Sequence, residues 1–147
     1  RIVPGFEAPC YISWSTANRS TMIRIPSARG LKTRAEVRSV DTTANPYLAA
    51  SVLLRAGLSG IEGKCEHFDA IHTNLFACSQ QERENLRVGS LPENLKEAIC
   101  EFKKDTLMQE AIGKHLTNKL IEAKQIEWDE FRTTVTEWEI NKYLKMF

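Results

Sequence analysis

The chain has 147 residues, 42% of them hydrophobic and 27% charged, with a formal net charge of +1. This is the composition of one globular domain with a real core, and it excludes a disordered chain. The near-neutral charge gives no case for nucleic acid or an anionic membrane surface, and no apolar run reaches membrane-spanning length.

The sequence opens on Arg1 with no initiator methionine and no secretion signal, so a piece of a longer protein is expected. Cys10, Cys65, Cys78 and Cys100 are widely spaced and never form Cys-x-x-Cys. Reduced thiols and a cytoplasmic location follow. Cys65 and His67 lack the second pair that zinc requires, and His72 and His115 are lone histidines without a local partner.

The first nine residues carry two prolines and a glycine and read as loop. Residues 11–14 suit a strand, 16–20 a turn, and 21–25 a second strand with Ile23 and Ile25 on one face and Met22 and Arg24 on the other. After a glycine-containing turn comes Thr33-Arg34-Ala35-Glu36-Val37-Arg38. As a strand it places Arg34, Glu36 and Arg38 on one face, and with the strand before it forms a hairpin. That face is either in water or lines a polar cavity for a charged ligand.

From Asn45 onwards the chain reads as helices. Asn45-Pro46 is a helix start, followed by a helix over 47–58 that is apolar nearly all round and is therefore expected to be buried on most sides. Residues 60–78 are irregular. Ser79 to Glu82 forms a capping box, and 92–103 is amphipathic with Leu95, Ile99 and Phe102 on one stripe. Asp105 caps a short helix ending near Gly113, and the longest helix runs over 114–132. Thr136 to Glu139 is a second capping box opening a last helix. Its Trp138 and Tyr143, with Met146 and Phe147 beyond, leave an apolar tail that docks either on another subunit or on its own domain. The fold class is therefore α+β, a few antiparallel strands followed by a helical C-terminal half.

Before Asn45 lie Arg1, Arg19, Arg24, Arg29, Arg34 and Arg38, against only two acids, Glu7 and Glu36. Guanidinium forks hold phosphate and carboxylate with paired hydrogen bonds and stay charged when partly buried. Such a surplus suits an anion pocket of the kind phosphoryl transfer requires. Glu36 is open to two readings: ion-pair partner of its arginines, or one ligand of a divalent metal whose other ligands come from elsewhere.

The motifs Arg1-Ile2-Val3-Pro4-Gly5-Phe6-Glu7-Ala8-Pro9, Asn18-Arg19-Ser20, Ile23-Arg24-Ile25-Pro26, Arg34-Ala35-Glu36-Val37-Arg38 and Ala44-Asn45-Pro46-Tyr47-Leu48 resemble, in order and spacing, bacterial-type (type I) glutamine synthetase. The likeness runs on through Glu127-Trp128 and Trp138-Glu139 and covers essentially the whole chain as the C-terminal portion of that catalytic domain, roughly the last third of the enzyme, its strands being part of the catalytic sheet or barrel. It implies ATP-dependent ligation of ammonia to L-glutamate through γ-glutamyl phosphate, with Mg²⁺ or Mn²⁺. By the same resemblance Arg1, Glu7 and Arg38 bind glutamate, Glu7 and Arg19 are catalytic, Arg19, Arg24 and Arg34 bind ATP, and Glu36 is a metal ligand. Glu7 would lie on a flap that excludes water and helps deprotonate ammonium.

The departures from that pattern are few. Asn74-Leu75 is followed by Phe76, where regulated members carry a tyrosine that is adenylylated, so that regulation is expected to be absent. The turn over 27–33 varies in length in the family, and Thr42 stands where proline is common. The resemblance further implies a cytoplasmic dodecamer of two hexameric rings, open to a nitrogen-regulatory protein. The alternatives are a γ-glutamyl ligase for another amine and, for this stretch alone, a non-catalytic oligomerisation module. The isolated chain is expected to be inactive.

Overall fold

The structure is a computed structural model that describes residues 2–4, 8–144 and 146. A small sheet holds β1 (Tyr11–Ser15), β2 (Thr21–Arg24) and β3 (Glu36–Val37) in that order. β2 and β3 are the expected antiparallel hairpin, with Ile23 opposite Val37 and Arg24 opposite Glu36. β1 departs from expectation, because it pairs parallel with β2 through an irregular register. Parallel neighbours ordinarily need a crossover of about a dozen residues or more. Here residues 16–20 suffice because side-chain hydrogen bonds brace that connection from outside, as described below. The other edge of β1 is covered by residues 89–91, through Ile12 N–H to the Gly89 carbonyl (2.8 Å) and Leu91 N–H to the Cys10 carbonyl (2.8 Å).

Around this sheet sits a compact core of Cys10, Tyr11 and Leu75, with Ile2, Ile71, Phe76, Cys78 and Val88 packed against it. Burial pushes the Cys10 thiol and the Tyr11 phenol above their ordinary pKa values. Arg83, on the short helix α2 (Gln80–Asn85), lies 4.9 Å from the Tyr11 ring centroid in a cation–π contact. The Ser79–Glu82 capping box that opens α2 is formed as expected.

The helical half consists of α1 (Pro46–Glu62), α3 (Leu95–Lys104), α4 (Thr106–Ile112), α5 (Lys114–Thr133) and α6 (Glu137–Tyr143). Asn45 caps α1 by accepting from the Tyr47 and Leu48 amides, with Pro46 in the first turn. The helix runs through Gly57 and Gly60 to Glu62, further than its sequence signals, since no proline stops it. Gly113, at φ 81°, makes the corner between α4 and α5. Gln109 fastens that corner by donating from Nε2 to the Phe102 and Lys103 carbonyls (2.9 and 3.0 Å), while its own carbonyl accepts from Thr117 Oγ1 (3.1 Å).

Among these elements α1 packs only on α4, α3 packs on α4 and α5, and α4 on α5. The expected burial of α1 on most sides is not met within these 147 residues: none of its residues is buried. Leu54 and Ile61 are 66% and 76% exposed. The physical reason is that an all-round apolar helix needs elements on several faces, and one short helix covers only one. Between α1 and α3–α5 lies an open cavity of about 730 Å³ lined by Leu48, Val52, Phe102, Ile112 and Leu120, among others. Helix α6, opened by the Thr136–Glu139 capping box, packs on no other element, and Trp138 is 61% exposed. Of the apolar tail, Phe147 lies outside the described residues. No helix among the described residues is long and apolar enough to cross a membrane.

Candidate active-site wall

The arginine-rich segment comes together at the β2–β3 hairpin. Cross-strand pairing sets Arg24 directly opposite Glu36, the position from which side chains on one face of a sheet meet. Arg24 Nε donates to Glu36 Oε2 at 2.8 Å and its Nη2 lies 2.7 Å from the same oxygen. Arg34 reaches the other oxygen, with Nε to Oε1 at 2.9 Å and Nη2 at 2.7 Å. Each carboxylate oxygen thus receives one guanidinium edge. The hydrogen bond from Arg24, followed by that from Arg34 and the charges of both, holds the Glu36 carboxyl below the usual carboxylate range.

Of the two readings open for Glu36, the ion pair is the one formed here, and its second partner is Arg24 from the neighbouring strand, not Arg38. The three-charge face expected along a single strand is not realised, because β3 holds only Glu36 and Val37. Past its end Arg38 turns away. Its Nη1 donates to the Arg19 carbonyl, in a very short contact, and to the Thr21 carbonyl at 3.3 Å. Its backbone N–H bonds the Met22 carbonyl (2.9 Å).

Arg19 projects from the turn between β1 and β2. It is exposed, and its guanidinium has no hydrogen-bond or ion-pair partner among the described residues. Arg29 folds back on its own loop, donating to the Pro26 and Ala28 carbonyls at 2.7 and 3.0 Å. Arg1 and Glu7 lie outside the described residues. The structure therefore gathers Arg24, Arg34 and Glu36 into one cluster and sets Arg38 beneath the turn that carries Arg19.

A carboxylate is the donor type Mg²⁺ and Mn²⁺ favour, so Glu36 suits such an ion as one ligand. Among the described residues no three His, Cys, Asp or Glu side chains gather into a metal site. Its remaining ligands would have to come from elsewhere.

Sequence reasoning missed the role of Asn18 and Ser20. Asn18 Nδ2 donates to the Ile71 and Thr73 carbonyls at 3.1 and 2.7 Å, across more than fifty residues of chain. Its Oδ1 accepts from the Ser20 amide (3.0 Å) and hydroxyl (2.7 Å), and Ser20 Oγ accepts from the Leu75 amide (3.0 Å). Their turn-forming character was visible in the sequence; the partner 71–75 was not.

The sequence profile of the glutamine synthetase catalytic domain matches residues 1–143. The chain belongs to the glutamine synthetase family. It is 46% identical over all 147 residues to the glutamine synthetases of Staphylococcus aureus and Staphylococcus epidermidis, covering 33% of each. The chain thus spans about a third of the length of these family members. Among solved structures it is similar to a ligand-free GmaS, with a TM-score of 0.76 and 30% identity over 92% of this chain and 30% of that one. It also shares the fold of Plasmodium falciparum glutamine synthetase, with a TM-score of 0.72 and 18% identity over 95% of this chain and 35% of that one. Phe76 has no hydroxyl, and its ring centroid lies 6.4 Å from that of Tyr11.

Proposed function

We propose that the protein containing this chain joins ammonia to L-glutamate at the expense of ATP, through γ-glutamyl phosphate, and that these residues form the C-terminal portion of its catalytic domain. The observation that carries this is the Arg24–Glu36–Arg34 cluster, with Arg19 exposed and without a side-chain partner among the described residues, in a chain of this family. Arg19, Arg24 and Arg34 hold the ATP phosphates, where fixed guanidinium charge lowers the cost of charge building on the transferring phosphoryl group. Arg38 and Arg1 bind glutamate. Glu7 closes over it, excludes water from the acyl phosphate and takes a proton from ammonium; Glu7 and Arg19 are the catalytic residues. Glu36 is this chain's ligand to Mg²⁺ or Mn²⁺ bound with ATP, an ion that neutralises phosphate charge when present. The remaining metal and ammonia sites belong to the rest of the longer protein, so the isolated chain is inactive. The intact enzyme is a cytoplasmic dodecamer of two hexameric rings that can meet a nitrogen-regulatory protein.

The exposed apolar surface of α6 favours a second role in the same protein, as an intersubunit contact. The decisive assay supplies the full-length protein with glutamate, ATP and either ammonia or a set of other amines. Glutamine formation, with a raised KM for glutamate in Arg38→Ala and weakened metal binding in Glu36→Gln, is expected. Preference for another amine would make the protein a different γ-glutamyl ligase, and no turnover with any amine would refute ligation.

A further inference from the structure

The hydrogen bonds that brace the short turn between β1 and β2 fall on the neighbours or the backbone of one residue, Arg19. Asn18 and Ser20 flank Arg19; three hydrogen bonds tie them to residues 71–75 and two more join them to each other. Ser20 and Thr21 are buried beside the fully buried Leu75. Thr21 Oγ1 donates to the Asn18 carbonyl (3.0 Å), and Arg38 donates to the carbonyl of Arg19 itself. The Arg19 side chain alone is left exposed, with no partner among the described residues. The bonds that let so short a turn join parallel strands therefore also fix the backbone from which this free charge projects.

We infer that Asn18 is a positioning residue: through its amide and through Ser20 it locks the Arg19 backbone onto the 71–75 segment, so that the guanidinium meets a nucleotide phosphate from a preset direction. The inference rests on the proposed assignment of Arg19 to ATP. A long side chain anchored at its root loses less freedom on binding, and that saving appears in the KM for ATP and not in the KM for glutamate.

The test is a double-mutant cycle in the full-length protein, following KM for ATP, KM for glutamate and thermal unfolding. Asn18→Asp keeps the acceptor for Ser20 and removes both donors to the Ile71 and Thr73 carbonyls. It is expected to raise KM for ATP about tenfold, the scale of one lost charge-assisted hydrogen bond, with KM for glutamate unmoved. In an Arg19→Ala background the same substitution should have no further effect on KM for ATP, because the positioned group is gone. Ser20→Ala, which cuts the link to Leu75, should act in the same direction and more weakly, and it carries the test if Asn18→Asp fails to assemble. Additive effects in the cycle, or unchanged KM for ATP in both the Asn18 and Ser20 variants while Arg19→Ala raises it, would overturn the positioning role. Unchanged KM for ATP in Arg19→Ala would instead overturn the nucleotide assignment on which that role rests.

Discussion

The two halves of this chain spend their residues in opposite ways. The strand half is rich in arginine, serine and threonine, yet it closes Cys10 and Tyr11 into a core against Leu75 and buries Ser13, Ser15, Ser20 and Thr21. The helices are far richer in aliphatic side chains, yet they bury only Ile99 and Thr117 among their described residues. Apolar composition does not by itself make a core; a partner surface does. In the strand half that partner is supplied by residues 71–91, which return to cover β1. In the helical half α1 lies against α4 and its other faces are open.

This contrast can be broken most sharply in its cores. Leu75→Ala, at a fully buried site, should cost the chain about 3 kcal/mol in denaturant unfolding, whereas Leu54→Ala on the open face of α1 should be nearly silent. Equal losses would mean that α1 is covered after all. A smaller effect follows at the start of α1, where Asn45→Ala removes a side chain accepting from two amides and should cost about 1 kcal/mol, read from the same unfolding curves. The open face should also drive concentration-dependent self-association of the 147-residue chain. Leu54→Glu combined with Ile61→Lys should return it towards monomer in sedimentation, and a wild-type chain monomeric at high concentration would contradict this.

The smallest expected effect concerns Glu36. Arg24 and Arg34 depress its pKa on folding, so the ionised carboxylate favours the folded chain above the ordinary glutamate range. That contribution is lost as pH falls from there through the depressed value. Wild type should therefore lose more stability on acidification than Glu36→Gln, and parallel pH profiles would show that the two arginines do not hold Glu36 in solution.

What could be read from the sequence divides along the same line. The Asn45-Pro46 start, both capping boxes and the Asp105 cap were legible because each is decided within four residues. The hairpin was legible from alternation and turn chemistry, but which arginine faces Glu36 depends on strand register, and the register put Arg24 there. The parallel pairing of β1 and the anchoring of Asn18 were not legible, since both depend on contacts with segments distant in sequence. The pattern of α1 states that most of its faces want cover and cannot state whether that cover lies within these 147 residues.

In the proposed ligase Arg24 serves the nucleotide and Arg38 serves glutamate, and this division of labour is what the function stands on. It is tested most directly by measuring KM for ATP and KM for glutamate in the full-length protein carrying Arg24→Ala or Arg38→Ala. The account predicts a split, with Arg24→Ala raising KM for ATP and Arg38→Ala raising KM for glutamate. If both substitutions leave both constants unchanged, or shift them alike in proportion to lost stability, these arginines are scaffold and the claim is wrong.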